Sequence, residues 1–170
     1  METTKIQQPT MNPEPQNEHQ WLQKLVGEWV YETEMTMGSK QPPEKSTGTE
    51  SVRSLGGLWI VAEGQGEMPG CVTATTIMTL GYDPQKQKYV GTWIGSMMTY
   101  LWVYDGGLDG DGKVLTLDSE GPDLTIEGKM AKYRDAIEFK SDDYRVLTSQ
   151  VLGNDGQWHQ FMTTNYRRKP

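Results

Sequence analysis

Arg134 and Asp135 stand side by side in a run of alternating polarity. With Glu63 they are the residues best suited to acid/base work in this chain. Neighbours in an extended chain face opposite sides, so at most one of the pair 134/135 points inward. If Arg134 points in with Met130 and Ala136, it needs a partner, because an unpaired buried cation costs several kcal/mol. An anionic head group, such as a fatty-acid carboxylate, would serve. An internal carboxylate such as Glu63 would also serve, and an outward Arg134 would need neither.

The other reactive residue types are sparse. His159 and His19 are the two histidines. Haem ligation by His159 would need an inward ring with room for a macrocycle, and alternation against Trp158 and Met162 turns it outward. Cys71 follows Pro69-Gly70 with no histidine nearby, so it lacks a base. Asp109-x-Asp111-Gly112 lacks the further ligands and terminal glutamate of a calcium loop and reads as a hairpin turn. Gly64-x-Gly66 is followed by neither a lysine nor a helix, so it does not form a phosphate loop. The expectation is no metal, no cofactor and no assigned catalytic residue.

The elements that must position these groups are mostly strands. From Gly27 to Met37, Trp29, Tyr31, Thr33, Met35 and Met37 fall on one side and Val30, Glu32, Glu34 and Thr36 on the other, the signature of a half-buried strand. Before it, Asn17 can cap a short helix reaching Val26, with Trp21, Leu22 and Leu25 at helical spacing and Gly27 as the stop. Residues 1–16 carry Pro9, Pro13 and Pro15 among polar side chains and read as a flexible tail. Beyond the first strand, segments of similar alternation are separated by Gly-, Pro- and Asp-rich turns. Among them, 88–96 and 97–105 form the most aromatic region.

About ten strands joined by short turns cannot be parallel, since parallel pairs need long crossovers. The fold expected for residues 17–170 is one all-β domain: a closed antiparallel up-and-down β-barrel of about ten strands with a short N-terminal helix. Two packed sheets are the alternative. A barrel of this size can leave a cavity. Ten methionines and six tryptophans supply soft, adaptable lining; Met35, Met37, Met78, Met98 and Met162 have the parity that points inward. The expected ligand-binding set is Tyr31, Met35, Met78, Trp93, Tyr100, Trp102 and Met162, with Arg134 as an anchor. The same side chains would equally serve as core filler.

The net charge of -7 and pI near 4.8 argue against nucleic acid or an anionic membrane as partner. The lone cysteine excludes an intrachain disulfide and suits a reducing compartment. The N-terminus shows no apolar signal region and no run approaches membrane-spanning length, so a cytoplasmic protein is expected. The function classes left are a barrel binding a small apolar or amphipathic molecule, an enzyme using Glu63, Arg134 and Asp135, or a homodimer-forming module through Leu101 and Val103.

The helix leading into Gly27-Glu28-Trp29, with Arg167-Arg168 ending the last strand, resembles the calycin barrels, which include lipocalins and fatty-acid-binding proteins. Those families pair a Gly-x-Trp on the first strand with a basic residue from the last. By that resemblance Arg168 lies across Trp29 and closes one barrel end by cation–π contact. A longer set of segments is similar to the bacterial domain-of-unknown-function family DUF1579: Gly27-Glu28-Trp29, Ser46-Thr47-Gly48-Thr49-Glu50, Leu55-Gly56-Gly57-Leu58-Trp59, Leu80-Gly81-Tyr82-Asp83-Pro84, Gly91-Thr92-Trp93-Ile94-Gly95-Ser96, Tyr133-Arg134-Asp135 and Tyr166-Arg167-Arg168. The resemblance implies a calycin-type barrel and carries over no catalytic residues.

Overall fold

Short turns leave each strand no neighbour but the next, and the last strand returns to the first. In a computed structural model describing residues 13–36, 41–68 and 72–170, helix α1 (Asn17–Gln23) precedes ten strands: β1 (Gly27–Met35), β2 (Glu44–Leu55), β3 (Trp59–Met68), β4 (Val72–Asp83), β5 (Lys88–Gly95), β6 (Trp102–Leu108), β7 (Val114–Pro122), β8 (Met130–Ser141), β9 (Tyr144–Leu152) and β10 (Trp158–Arg168). Sequential strands pair antiparallel, and β1 pairs with β10 to close the barrel. Trp29 stands opposite Arg168 and Met35 opposite Met162. Two packed sheets are thereby excluded. Met37 and Cys71 lie outside the described residues. No described helix is long and apolar enough to cross a membrane.

The alternation of β1 is realised as expected, with Trp29 fully buried and Val30, Glu32 and Glu34 exposed. Two other segments depart from simple alternation. Strand β6 starts at Trp102 rather than Met97, because the chain turns at the barrel rim: the Ser96 N–H donates to the Thr75 carbonyl at 2.8 Å and the Met98 N–H to that of Gly95 at 3.2 Å. In β10 a bulge between Gln160 and Met162 resets the parity. Trp158 therefore faces outside, not inside with Met162.

Helix α1 is shorter than expected and is capped from Gln16, whose N–H donates to His19 Nδ1 at 2.9 Å. His19 Nε2 lies 3.1 Å from the Tyr82 carbonyl. A carbonyl only accepts, so the ring proton sits on Nε2. The helix stoppers one barrel end. Trp21 Nε1 donates to the Gly112 carbonyl at 2.8 Å, and the Tyr89 hydroxyl to the Glu18 carbonyl at 3.1 Å. Leu22 retains no exposed surface; such burial stabilises by roughly 1.5–3 kcal/mol.

Arg168 ties this end together as the resemblance implied. Its guanidinium lies 4.2 Å from the Trp29 ring centroid. Nη1 donates to the Val26 carbonyl at 2.7 Å and Nη2 to that of Lys24 at 3.0 Å. Gly27, at φ 138°, is required here twice over: the backbone is left-handed, and a Cβ would strike that guanidinium. Trp21, Leu22, Leu25, Trp29, Ile60, Leu80, Tyr89, Leu115 and Leu117 pack into a solid core next to the helix. At the opposite end, among the described residues, Met97, Met98, Leu124, Ile126 and Met130 are exposed.

Candidate ligand-binding cavity

Above the solid layer the interior is hollow. A cavity of about 290 Å³ is lined by side chains from most of the strands. Tyr31 and Met35 come from β1, Trp93 from β5, Trp102 and Tyr104 from β6, Leu147 and Ser149 from β9, and Met162, Thr164 and Tyr166 from β10. Filled core and cavity therefore coexist, divided along the barrel axis.

The space exists because small residues sit opposite large ones. Gly48 and Gly66 are cross-strand partners on β2 and β3, and the Tyr31 ring lies over both. A Cβ on either would collide with that ring, and at Gly48 also with the Gln65 carbonyl. The glycines thus let Tyr31 lie against the wall instead of across the hollow. Tyr31 in turn contacts Tyr166, ring centroids 5.4 Å apart. Trp102 packs edge-on to Tyr133 at 5.0 Å, and its Nε1 donates to Met98 Sδ at 3.2 Å.

Two polar constellations sit in this wall. In the first, Arg145 from β9 is almost wholly buried and its Nη2 donates to Glu50 on β2. The guanidinium lies between the rings of Trp29 and Tyr166, 4.6 and 3.8 Å from their centroids. Its Nε finds no hydrogen-bond acceptor among the described residues. Burial, and then the Glu50 charge, push the Tyr31 and Tyr166 hydroxyls above the usual phenol range.

In the second, Asp135 from β8 faces the cavity beside Tyr104, whose hydroxyl donates to Oδ2 at 2.8 Å. Ser149 is the cross-strand partner of Asp135 on β9 and lines the same wall. Burial raises the Asp135 carboxyl above its ordinary value, although the hydrogen bond from Tyr104 pulls the other way. The Tyr104 hydroxyl is raised well above its own, by burial first and by the Asp135 charge second.

This shift has a testable sign. A carboxyl raised in the folded state adds stability at pH below its unfolded value, near 3.9, and that contribution is lost as pH climbs through the folded value. An asparagine in its place cannot titrate, yet it keeps an acceptor for Tyr104. Asp135→Asn is therefore expected to gain thermal stability over wild type as pH rises from about 4, then level off. Parallel melting curves across pH measure it; a difference that does not change with pH contradicts the shift.

Of the expected ligand set, the structure gathers Tyr31, Met35, Trp93, Trp102 and Met162 around the cavity. Met78 faces inward but packs against the solid core below. Tyr100 lies on the rim loop, where its hydroxyl donates to the Glu120 carbonyl at 2.9 Å. Arg134 is corrected: it faces outside, because Tyr133 and Ile137 take the inner face of β8. Its Nε meets Asp118 Oδ1 at 2.7 Å, and its guanidinium lies 4.4 Å from the Trp158 ring centroid.

Glu63 is exposed. His159 is exposed at the rim, 2.8 Å from Asp155 Oδ2. Asp109 Oδ1 accepts the Lys113 and Val114 N–H groups and so forms a turn. Among the described residues no cluster of three potential metal ligands occurs. Sequence reasoning missed Glu50, Arg145, Tyr104 and Ser149. Tyr104 shares the parity of Trp102, and that was the one available signal.

The barrel is similar to a number of solved structures. The crystal structure of Rv2717c from M. tuberculosis has a TM-score of 0.63 at 11% identity, covering 92% of this chain and 100% of that one. The S-type phycobiliprotein lyase CPES from Guillardia theta has a TM-score of 0.58 at 13% identity, covering 92% of this chain and 99% of that one. At such identities the likeness extends to the fold alone. No curated protein matches. Residues 14–168 match the family described as Protein of unknown function (DUF1579), so this chain belongs to the DUF1579 family.

Proposed function

We propose that the barrel binds a small apolar or amphipathic molecule in its interior. The observation that carries this is the hollow of about 290 Å³ in a barrel whose other end is packed solid. Ligand pockets run from about 300 to 1,000 Å³, so the occupant is small. The lining is aromatic and thioether-rich, with a few polar groups at fixed positions, the usual composition of such sites. Exposed Met97, Met98, Leu124, Ile126 and Met130 at the end opposite the helix would offer an apolar body its first contacts.

An enzyme on this barrel would need convergent acid and base groups. Of Glu63, Arg134 and Asp135, the cavity receives Asp135 alone, so binding is the better supported reading. Trp93 and Trp102 line the cavity and report on it. Titration with a panel of small apolar and amphipathic compounds should quench tryptophan emission saturably for at least one class. No change across the panel would end the proposal.

A further inference from the structure

We infer that the polar end of the ligand is a protonated amine, received by the Asp135 carboxyl and the surrounding aromatic rings, and that carboxylates are rejected. This rests on the ligand-binding reading above.

The cavity wall carries three acidic side chains, Glu50, Glu67 and Asp135, and its described lining includes no lysine, arginine or histidine. The cation that could have received an anionic head group, Arg134, is outside and already paired with Asp118. Arg145 is inside the barrel but does not reach the hollow. Its charge is answered by Glu50, and its faces are covered by Trp29 and Tyr166. That pairing also commits Glu50.

Glu67 is exposed to solvent, so Asp135 is left as the inward carboxyl, with the neutral Tyr104 hydroxyl donating to it and the neutral Ser149 opposite it on β9. A largely desolvated carboxylate with no cation opposite it among the described residues is costly, and an entering ammonium supplies the missing charge. An entering carboxylate would set like charges together where little water remains to screen them. Tyr31, Trp93, Tyr104 and Tyr166 also line the hollow, and ring faces attract cations, most strongly where both are desolvated. The chain's net charge of -7 favours cations over anions in the approach as well. The small volume limits the body of the amine to a short alkyl chain or a single ring.

Three compounds that share one body and differ in head group separate the possibilities: octylamine, octanol and octanoate, each titrated calorimetrically into the intact protein at neutral pH. Octylamine should bind about tenfold tighter than octanol, the ratio a charged contact of roughly 1.4 kcal/mol produces. Octanoate should bind weakest. In Asp135→Asn the amine's advantage over the alcohol should collapse to about twofold or less. Octanoate binding as tightly as octylamine, with the series still binding, would overturn the amine assignment and leave ligand binding intact. An undiminished amine preference in Asp135→Asn would overturn the role of Asp135. Binding by none of the three would overturn the assignment and the ligand-binding reading together.

Discussion

Arg145→Ala should lower the unfolding free energy by about 3–5 kcal/mol, the cost of removing one partner from a buried ion pair. For a domain of this size that is a fall in melting temperature of roughly 6–20 °C. Arg145 and Glu50 have side chains only 5% and 12% exposed, so solvent does little to screen the carboxylate left behind. The substitution also empties the gap between the Trp29 and Tyr166 rings, which adds a packing loss. Replacing both partners by apolar groups of similar size, Glu50→Leu with Arg145→Met, should recover most of the loss, because neither charge then remains buried. Equilibrium denaturation of the two single variants and the double variant measures the coupling. A loss below about 1 kcal/mol in Arg145→Ala, the range of an exposed pair, would show that the pair is solvated.

Ala74→Phe should abolish ligand binding while leaving the barrel folded. Ala74 is buried on β4 opposite Gly66 and lines the hollow. A ring there enters the space the ligand needs. Overpacking a core typically costs 1–3 kcal/mol, and the empty volume should hold the cost near the lower limit of about 1. The affinity of whichever panel compound binds wild type should fall at least about 100-fold, equivalent to roughly 2.7 kcal/mol. Far-ultraviolet circular dichroism and melting confirm folding, and calorimetry reads the affinity. Unchanged affinity in a folded variant would move the binding site elsewhere, the outer groove beside Arg134 and Trp158 being the alternative.

The barrel was legible because β1 carries Trp, Tyr and Met on one face and Val and Glu on the other, and because no segment could make a parallel crossover. The contact of Arg168 with Trp29 was implied by the resemblance to the calycin barrels. The turn at residues 96–101 was not legible. The run from Met97 to Val103 alternates like a strand, and it is the hydrogen bonds of Ser96 to Thr75 that bend it. The β10 bulge is invisible to a parity count, which puts Trp158 on the inner face with Met162.

Arg145 escaped for a different reason. Both faces of β9 hold apolar residues, Leu147 and Val151 on one and Val146 and Leu152 on the other, so alternation could not choose between them. Its partner Glu50 is 95 residues away, and only the barrel register joins the two. Asp135 shares the parity of Tyr133 and Ile137 on β8, and their burial turns it inward. The hollow depends on Gly48, Gly66, Ala74 and Ser149 standing where bulkier residues would fill it, and cross-strand register brings them there.

The most direct test of a ligand-holding barrel is a crystal structure of the protein grown with the tightest-binding member of the octyl series. The account predicts electron density for the chain inside the barrel, against Trp93, Trp102 and Met162, with its polar end toward Asp135. Density confined to the outer wall, with Met35 and Met162 folded in to fill the interior, would contradict it.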